Sequence, residues 1–148
     1  MESRKMISLD RAVASSPVVI LWGKPEKNHP VEFISGNISR FGYTADEIVL
    51  GSVPFLSLLA CEERRSFQEK FLAAAASGPD FLVSGYRIVT KSGEVRWIED
   101  QTIFHRDGKG KASAYQSALL DVTGRREIER KAAAHNTRLE HLHSMYLA

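Results

Sequence analysis

A single thiol, five imidazoles and three adjacent acidic pairs hold most of the chemically versatile side chains in this 148-residue chain. The thiol, Cys61, is followed by Glu62 and Glu63. Neighbouring carboxylates raise a thiol pKa and so work against a reactive thiolate. Cys61 therefore reads as a small, inert residue at a helix start. One cysteine permits neither an internal disulfide nor a cysteine-based zinc site. Of the histidines, His29 falls in a predicted loop, His105 at a strand end, and His135, His141 and His143 in the tail. His141 and His143 are two apart and diverge on a helix. No His-x-x-x-His pattern or acidic cluster makes a metal site. Asp46/Glu47 and Glu62/Glu63 are explained by helix starts, where acids favour the dipole. Glu99 and Asp100 are successive on a strand and face opposite sides. There is no glycine-rich phosphate loop, no Gly-x-Ser-x-Gly elbow and no kinase signature. These residues supply no catalytic centre, and the chain reads as a non-enzyme.

The bulk properties narrow the class further. Hydrophobic residues are 43% and charged residues 26%, ordinary for a folded domain, and the length suits one domain plus a short appendage. The net charge is +2 and lacks a dense basic stripe outside the tail, which argues against nucleic acid. The longest apolar runs fall well short of the ~18 residues that span a bilayer. Residues 1–9 have no apolar core and do not form a secretory signal. A reducing, cytoplasmic setting is expected, with any membrane anchor supplied from elsewhere.

These side chains must be positioned by alternating strand and helix patterns. Residues 1–11 read as a leader with a short helix over Leu9–Ala14, stopped at Pro17. Val18–Trp22 is a β-branched run expected as a buried strand. Gly23–Pro30 is a loop, and Val31–Ser35 a second strand in a hairpin with the first. Ile38 and Phe41 fit one helical turn. Thr44 and Glu47 form a capping box opening a short helix that stops near Gly51. Val53–Leu59 fits a helical turn. Glu62–Ala76 is the long central helix, with Phe67, Phe71 and Ala74 as its buried stripe. Phe81–Thr90, Val95–His105 and Ala112–Val122 are strands joined by turns at Lys91–Glu94 and Arg106–Gly110. A helix runs from Thr123 to the end. Hairpin-linked strands give an antiparallel sheet whose one face the helices must cover.

Three segments in this order resemble the PAS family. They are Val31-Glu32-Phe33-Ile34-Ser35-Gly36-Asn37-Ile38-Ser39-Arg40-Phe41-Gly42-Tyr43, then Tyr86 through Ile98 with its Gly93-Glu94-Val95-Arg96-Trp97 core, then Asp121-Val122-Thr123. The resemblance covers roughly residues 12–131. It implies an α+β fold, a five-stranded antiparallel sheet of order 2-1-5-4-3 with short helices on one face. It also implies a PAS domain over 12–122 and a C-terminal signalling helix over 123–148. The departures are Ala60-Cys61-Glu62-Glu63, where the family often has His-Pro-Asp-Asp, and Gly124, where a helix former is more usual. Gly124 costs about 1 kcal/mol against alanine inside a helix, so the joint is either loose, which suits a hinge, or simply poorly optimised.

The resemblance further implies a small cavity between sheet and helices. Phe33, Asn37, Ile38, Phe41 and Ile48 are candidates to line it. So are Phe55, Leu59, Phe67, Phe71 and Tyr86. These residues either fill the core or admit a small apolar or aromatic ligand; no cofactor is assigned. Covalent flavin is not expected, because the Asn-Cys-Arg-Phe-Leu motif of the flavin photosensors is absent. Haem is not expected either, because the central helix lacks the histidine that haem-binding members present. Trp97 belongs either to the core or to the outer sheet face.

Ile128, Ala132, His135, Leu139, Leu142 and Tyr146 are spaced 4, 3, 4, 3, 4, a coiled-coil seam over about three heptads. The alternative is an amphipathic helix lying back on its own sheet. The pattern runs to Ala148 without a stop signal, which suggests a fragment of a longer receptor such as a histidine kinase. The functional expectation is a homodimeric sensor. A change in its core passes through Arg96, Trp97, Asp121, Thr123 and Gly124 into the terminal helix. Within that relay Asp121 is expected to bind Arg96, and Thr123 to cap the helix. The alternative is a ligand-free dimerisation module.

Overall fold

The computed structural model describes residues 16–147, and for 136–147 the helical backbone alone. The leader and the helix expected over Leu9–Ala14 lie outside the described residues.

Five strands form one antiparallel sheet: β1 (Val18–Gly23), β2 (Phe33–Ile34), β3 (Phe81–Val89), β4 (Val95–Arg106) and β5 (Ala112–Asp121). Their spatial order is β2-β1-β5-β4-β3. Between β2 and β3 the chain makes a 3-10 turn at Gly36–Phe41, helix α1 (Ala45–Val49), a second 3-10 turn at Phe55–Leu58 and the long helix α2 (Cys61–Ser77). Helix α3 (Thr123–Leu147) leaves the end of β5. No helix among the described residues is long and apolar enough to cross a membrane.

The second strand is shorter than the expected Val31–Ser35, for a local reason. The Ile20 amide donates to the Ser35 hydroxyl at 2.9 Å, and the Ser35 amide donates to the Ile20 carbonyl at 2.8 Å. The Ser35 carbonyl is then taken by the Ile38 amide, which curls the chain into the 3-10 turn. Gly42 ends that turn in the left-handed region at φ 89°, where a Cβ would also sit 2.8 Å from the Lys91 Cβ. Thr44 and Glu47 form the capping box of α1: the Glu47 amide reaches the Thr44 hydroxyl at 3.2 Å, and the Thr44 amide reaches the Glu47 carboxylate at 2.8 Å.

Helix α2 covers the inner sheet face with Phe67, Phe71, Ala74 and Ala75. Its first turn is tied to the edge strand. The Ala60 amide donates to the Arg87 carbonyl, while the Glu63 carboxylate accepts from the Arg87 amide at 2.6 Å and its guanidinium at 3.1 Å. Glu63 is therefore more than a favourable charge at a helix start. The last turn is closed by Arg106 of β4, which donates to the carbonyls of Ala74, Ala75 and Gly78.

Phe33 is not a core residue. Strand alternation turns Ile34 inward, so Phe33 faces out, 37% exposed, and stacks on Trp22 with ring centroids 4.0 Å apart. The register places Phe81, Ile103, Gln116, Trp22 and Phe33 in one row across the outer face. Trp97 belongs to that outer face as well, since its neighbour Ile98 is the buried one.

Candidate functional site

Two groups of residues stand out from simple packing: a polar and aromatic cluster under α2, and the joint between β5 and α3.

The inward positions of β4 alternate as Ile98, Asp100, Thr102 and Phe104, all buried. Alternation thus carries a carboxylate into the core, where it is 1% exposed. Its neighbours supply donors. The Tyr86 hydroxyl donates to one Asp100 oxygen at 2.7 Å, and the Thr102 hydroxyl donates to the other at 2.7 Å. With its proton so used, Thr102 accepts from Ser117, also at 2.7 Å. Burial pushes the Asp100 carboxyl up to about 6, against the pull of these hydrogen bonds. The same burial, with Asp100 beside it, raises the Tyr86 hydroxyl. A buried acid that titrates near neutrality, wired to three hydroxyls, can change protonation when its surroundings change.

His29 lies beside this network in a cage of rings. It comes from the β1–β2 loop yet is 2% exposed. Its ring centroid is 5.0 Å from Phe55, 5.3 Å from Phe67, 4.4 Å from Phe71 and 4.5 Å from Tyr115. Neither ring nitrogen has a hydrogen-bond partner among the described residues. Burial lowers its pKa to about 3, so it is neutral at physiological pH.

Of the expected pocket residues, Phe55, Phe67 and Phe71 wall this cage, and Tyr86 joins it through Phe67 at 4.9 Å. Ile38, Phe41, Ile48 and Leu59 are buried in the same apolar core. Asn37 is buried but faces the start of β1. Its amide nitrogen donates to the carbonyls of Ser16 and Val18, and its oxygen accepts from Ser35. Phe33 lies on the opposite side of the sheet. Sequence reading missed Asp100 and His29. The run Ile98-x-Asp100-x-Thr102-x-Phe104 does carry a signal, because its apolar ends fix the inward phase. His29 carries none, since a loop has no period.

At the second group, Asp121 accepts from Arg96 Nε at 2.7 Å and from the Thr123 amide at 2.9 Å. Partial burial acts to raise the Asp121 pKa, but the hydrogen bonds from Thr123 and Arg96 outweigh it and hold the carboxyl below its ordinary value. The Thr123 hydroxyl does not cap its own helix; it accepts the Trp97 amide at 2.7 Å. The reason is position: Thr123 is the first helical residue, so its hydroxyl meets β4 while Asp121 satisfies its free amide. The Val122 amide donates to the Trp97 carbonyl, so both backbone groups of Trp97 hold the joint. The Trp97 ring lies under the Arg126 guanidinium at 3.8 Å and near that of Arg87 at 5.5 Å. Glu63, Arg87, Trp97 and Arg126 thus form a continuous chain from α2, around the sheet edge, to α3. Gly124 lies inside the helix with open space where a Cβ would be. Ile128 is 70% exposed and Ala132 and His135 are exposed, so this part of the seam does not lie on its own sheet. The side chains of Leu139, Leu142 and Tyr146 lie outside the described residues.

Comparison with known proteins places this geometry. Residues 31–119 match the family model described as the PAS fold. A methyl sulfide methyltransferase-associated sensor of Methanosarcina acetivorans is 32% identical over 136 residues, spanning 92% of this chain but only 14% of that protein. A sensory box histidine kinase/response regulator structure from Burkholderia thailandensis superposes with a TM-score of 0.67 at 20% identity, covering 90% of this chain and 98% of that one. An RNA-binding light-oxygen-voltage receptor superposes at 0.68 with 22% identity, over 88% of this chain and 36% of the other. At these identities the two structures speak to the fold alone. The chain spans about one seventh of its curated relative.

Proposed function

The chain belongs to the PAS family as a sensor domain, and we propose that it receives its signal in the cluster around His29 and Asp100 and delivers it through α3. In this reading residues 12–122 are the sensing domain and 123–148 the signalling helix. The observation that carries the proposal is the joint at Asp121. One carboxylate holds both the β4 side chain Arg96 and the first amide of α3, at 2.7 and 2.9 Å. A shift of β4 and β5 against each other therefore moves the root of the helix. The Glu63–Arg87–Trp97–Arg126 chain supports a second connection, from α2 to the same helix. The exposed Ile128 and the outer row of Trp22, Phe33, Phe81 and Ile103 favour pairing with a second copy of the chain. The output lies in a longer protein, with a histidine kinase as the proposed partner. No catalytic role is proposed for this segment.

Asp121→Ala tests the joint. It removes the acceptor for the Thr123 amide and for Arg96, so the first two turns of α3 should exchange amide hydrogens about tenfold faster, with the β3–β5 amides unchanged. Unaltered exchange over residues 123–130 would remove the basis for this route. In the longer receptor the same substitution should leave the input intact and the output unresponsive.

A further inference from the structure

The loop joining β1 to β2 drives a polar ring into an apolar cage. His29 is 2% exposed and both its ring nitrogens lack partners among the described residues. Buried polar groups are rarely left so. The loop backbone is also unfavourable: Asn28 and His29 lie at φ 70° and 53°, the left-handed region that side-chain-bearing residues seldom occupy. A hydrogen bond and a close backbone approach hold the loop against the sheet. The Tyr115 hydroxyl donates to the Pro30 carbonyl at 2.8 Å. Gly23 makes room for that carbonyl, since a Cβ there would lie 2.2 Å from the Pro30 oxygen. Directly outside, a cleft of about 200 Å³ is lined by Asn28, His29, Pro30, Ile48, Pro54 and Phe55. The ring has both a reason to leave and a place to go.

We propose that His29 is a removable plug, and that the cage of Phe55, Phe67, Phe71 and Tyr115 accepts in its place a small, neutral, planar heteroaromatic molecule bearing a hydrogen-bond acceptor. This rests on the reading of the chain as a ligand-receiving sensor. The class of ligand follows from what the cage does to its present occupant. Four rings surround the imidazole at 4.4–5.3 Å in stacked and edge contacts, so a flat aromatic body fits. Burial keeps His29 unprotonated, and it would equally disfavour a charged ring. When the loop leaves, Pro30 leaves with it, and the Tyr115 hydroxyl loses its acceptor. An acceptor atom on the ligand restores that bond. Loop release and ligand capture thus use the same phenol.

The test is a titration of the wild-type chain, His29→Ala and Gly23→Ala at pH 8, with imidazole and benzimidazole as probes, followed by calorimetry and by side-chain NMR. His29→Ala should bind imidazole at least tenfold more tightly than wild type, because its cage is already vacant. Gly23→Ala should also bind more tightly, because the added methyl expels the Pro30 carbonyl. In wild type, saturating benzimidazole should move the His29 ring resonances to those of an exposed histidine. A folded His29→Ala that binds no better than wild type overturns the plug, as does wild-type binding that leaves His29 resonances in place, or no binding by any of the three. If His29→Ala does not fold, Gly23→Ala and the wild-type resonances decide. A compound that perturbs Asp100 and α3 without moving His29 overturns the plug and leaves the sensor reading standing. Displacement of His29 with amide exchange in α3 unchanged keeps the plug and overturns the sensor reading.

Discussion

Two buried groups with opposite shifts should give this protein an unusual response to acid. His29 has a folded pKa of about 3 against an ordinary 6.5. Between those values the unfolded chain takes a proton that the native chain refuses. Its contribution to stability is therefore full above pH 6.5 and is lost as pH falls toward 3. Asp100 has a folded pKa of about 6 against an ordinary 3.8. Here the native chain holds the proton and the unfolded chain does not. Its contribution is full below pH 3.8 and is lost as pH rises through 6. Each pH unit in either window is worth about 1.4 kcal/mol. From pH 6 to 4 His29 removes roughly 2–3 kcal/mol and Asp100 returns roughly 2 kcal/mol, so the two nearly cancel. The perturbation is His29→Leu and, separately, Asp100→Asn, with urea unfolding at half-unit steps from pH 7 to 4. Relative to wild type, His29→Leu should gain about 2–3 kcal/mol as pH falls from 6 to 4, and Asp100→Asn should lose about 2 kcal/mol. Taking differences removes the other carboxylates, including Asp121, and any constant cost from the left-handed backbone at residue 29. Two flat difference curves would refute the reasoning, and slopes of the same sign would refute the assignment of either burial.

Tyr86→Phe removes a donor from a buried carboxylate, which should cost about 1–3 kcal/mol by denaturant unfolding and raise the Asp100 pKa, read by carboxyl NMR. Gly124→Ala places a methyl in open space within a helix and should stabilise the domain by about 1 kcal/mol; a loss would expose a steric demand that the backbone does not suggest. Ile128→Asp puts a charge on the exposed seam. Sedimentation at tens of micromolar should show dimer for wild type and monomer for the variant, and a monomeric wild type would end the pairing proposal.

The order of elements was legible because each was written locally. Val18-Val19-Ile20 reads as strand from its branched side chains, Thr44 and Glu47 mark a helix start, and Phe67 and Phe71 lie one turn apart on α2. Sheet order was legible through resemblance rather than periodicity, since three hairpin-linked strands do not state where β1 inserts. Phe33 was misread because a two-residue strand gives no alternation from which to take a phase. Thr123 was misread as a cap because the amide that claims its hydroxyl belongs to Trp97, 26 residues earlier.

The sequence by itself determined the strands, the helices, the absence of a familiar reaction motif and the acidic and aromatic residues available. Those properties depend on neighbours a few positions away. Tertiary structure alone decided which of these residues became chemically unusual. Asp100 and His29 are ordinary in a chain surrounded by water. They acquire pKa values of about 6 and about 3 only because β4 alternation and a nine-residue loop, 24–32, deliver them under α2, where desolvation acts unopposed on His29 and outweighs the hydrogen bonds to Asp100. Burial is a property of the assembled fold, and no local pattern in the chain records it for a loop residue.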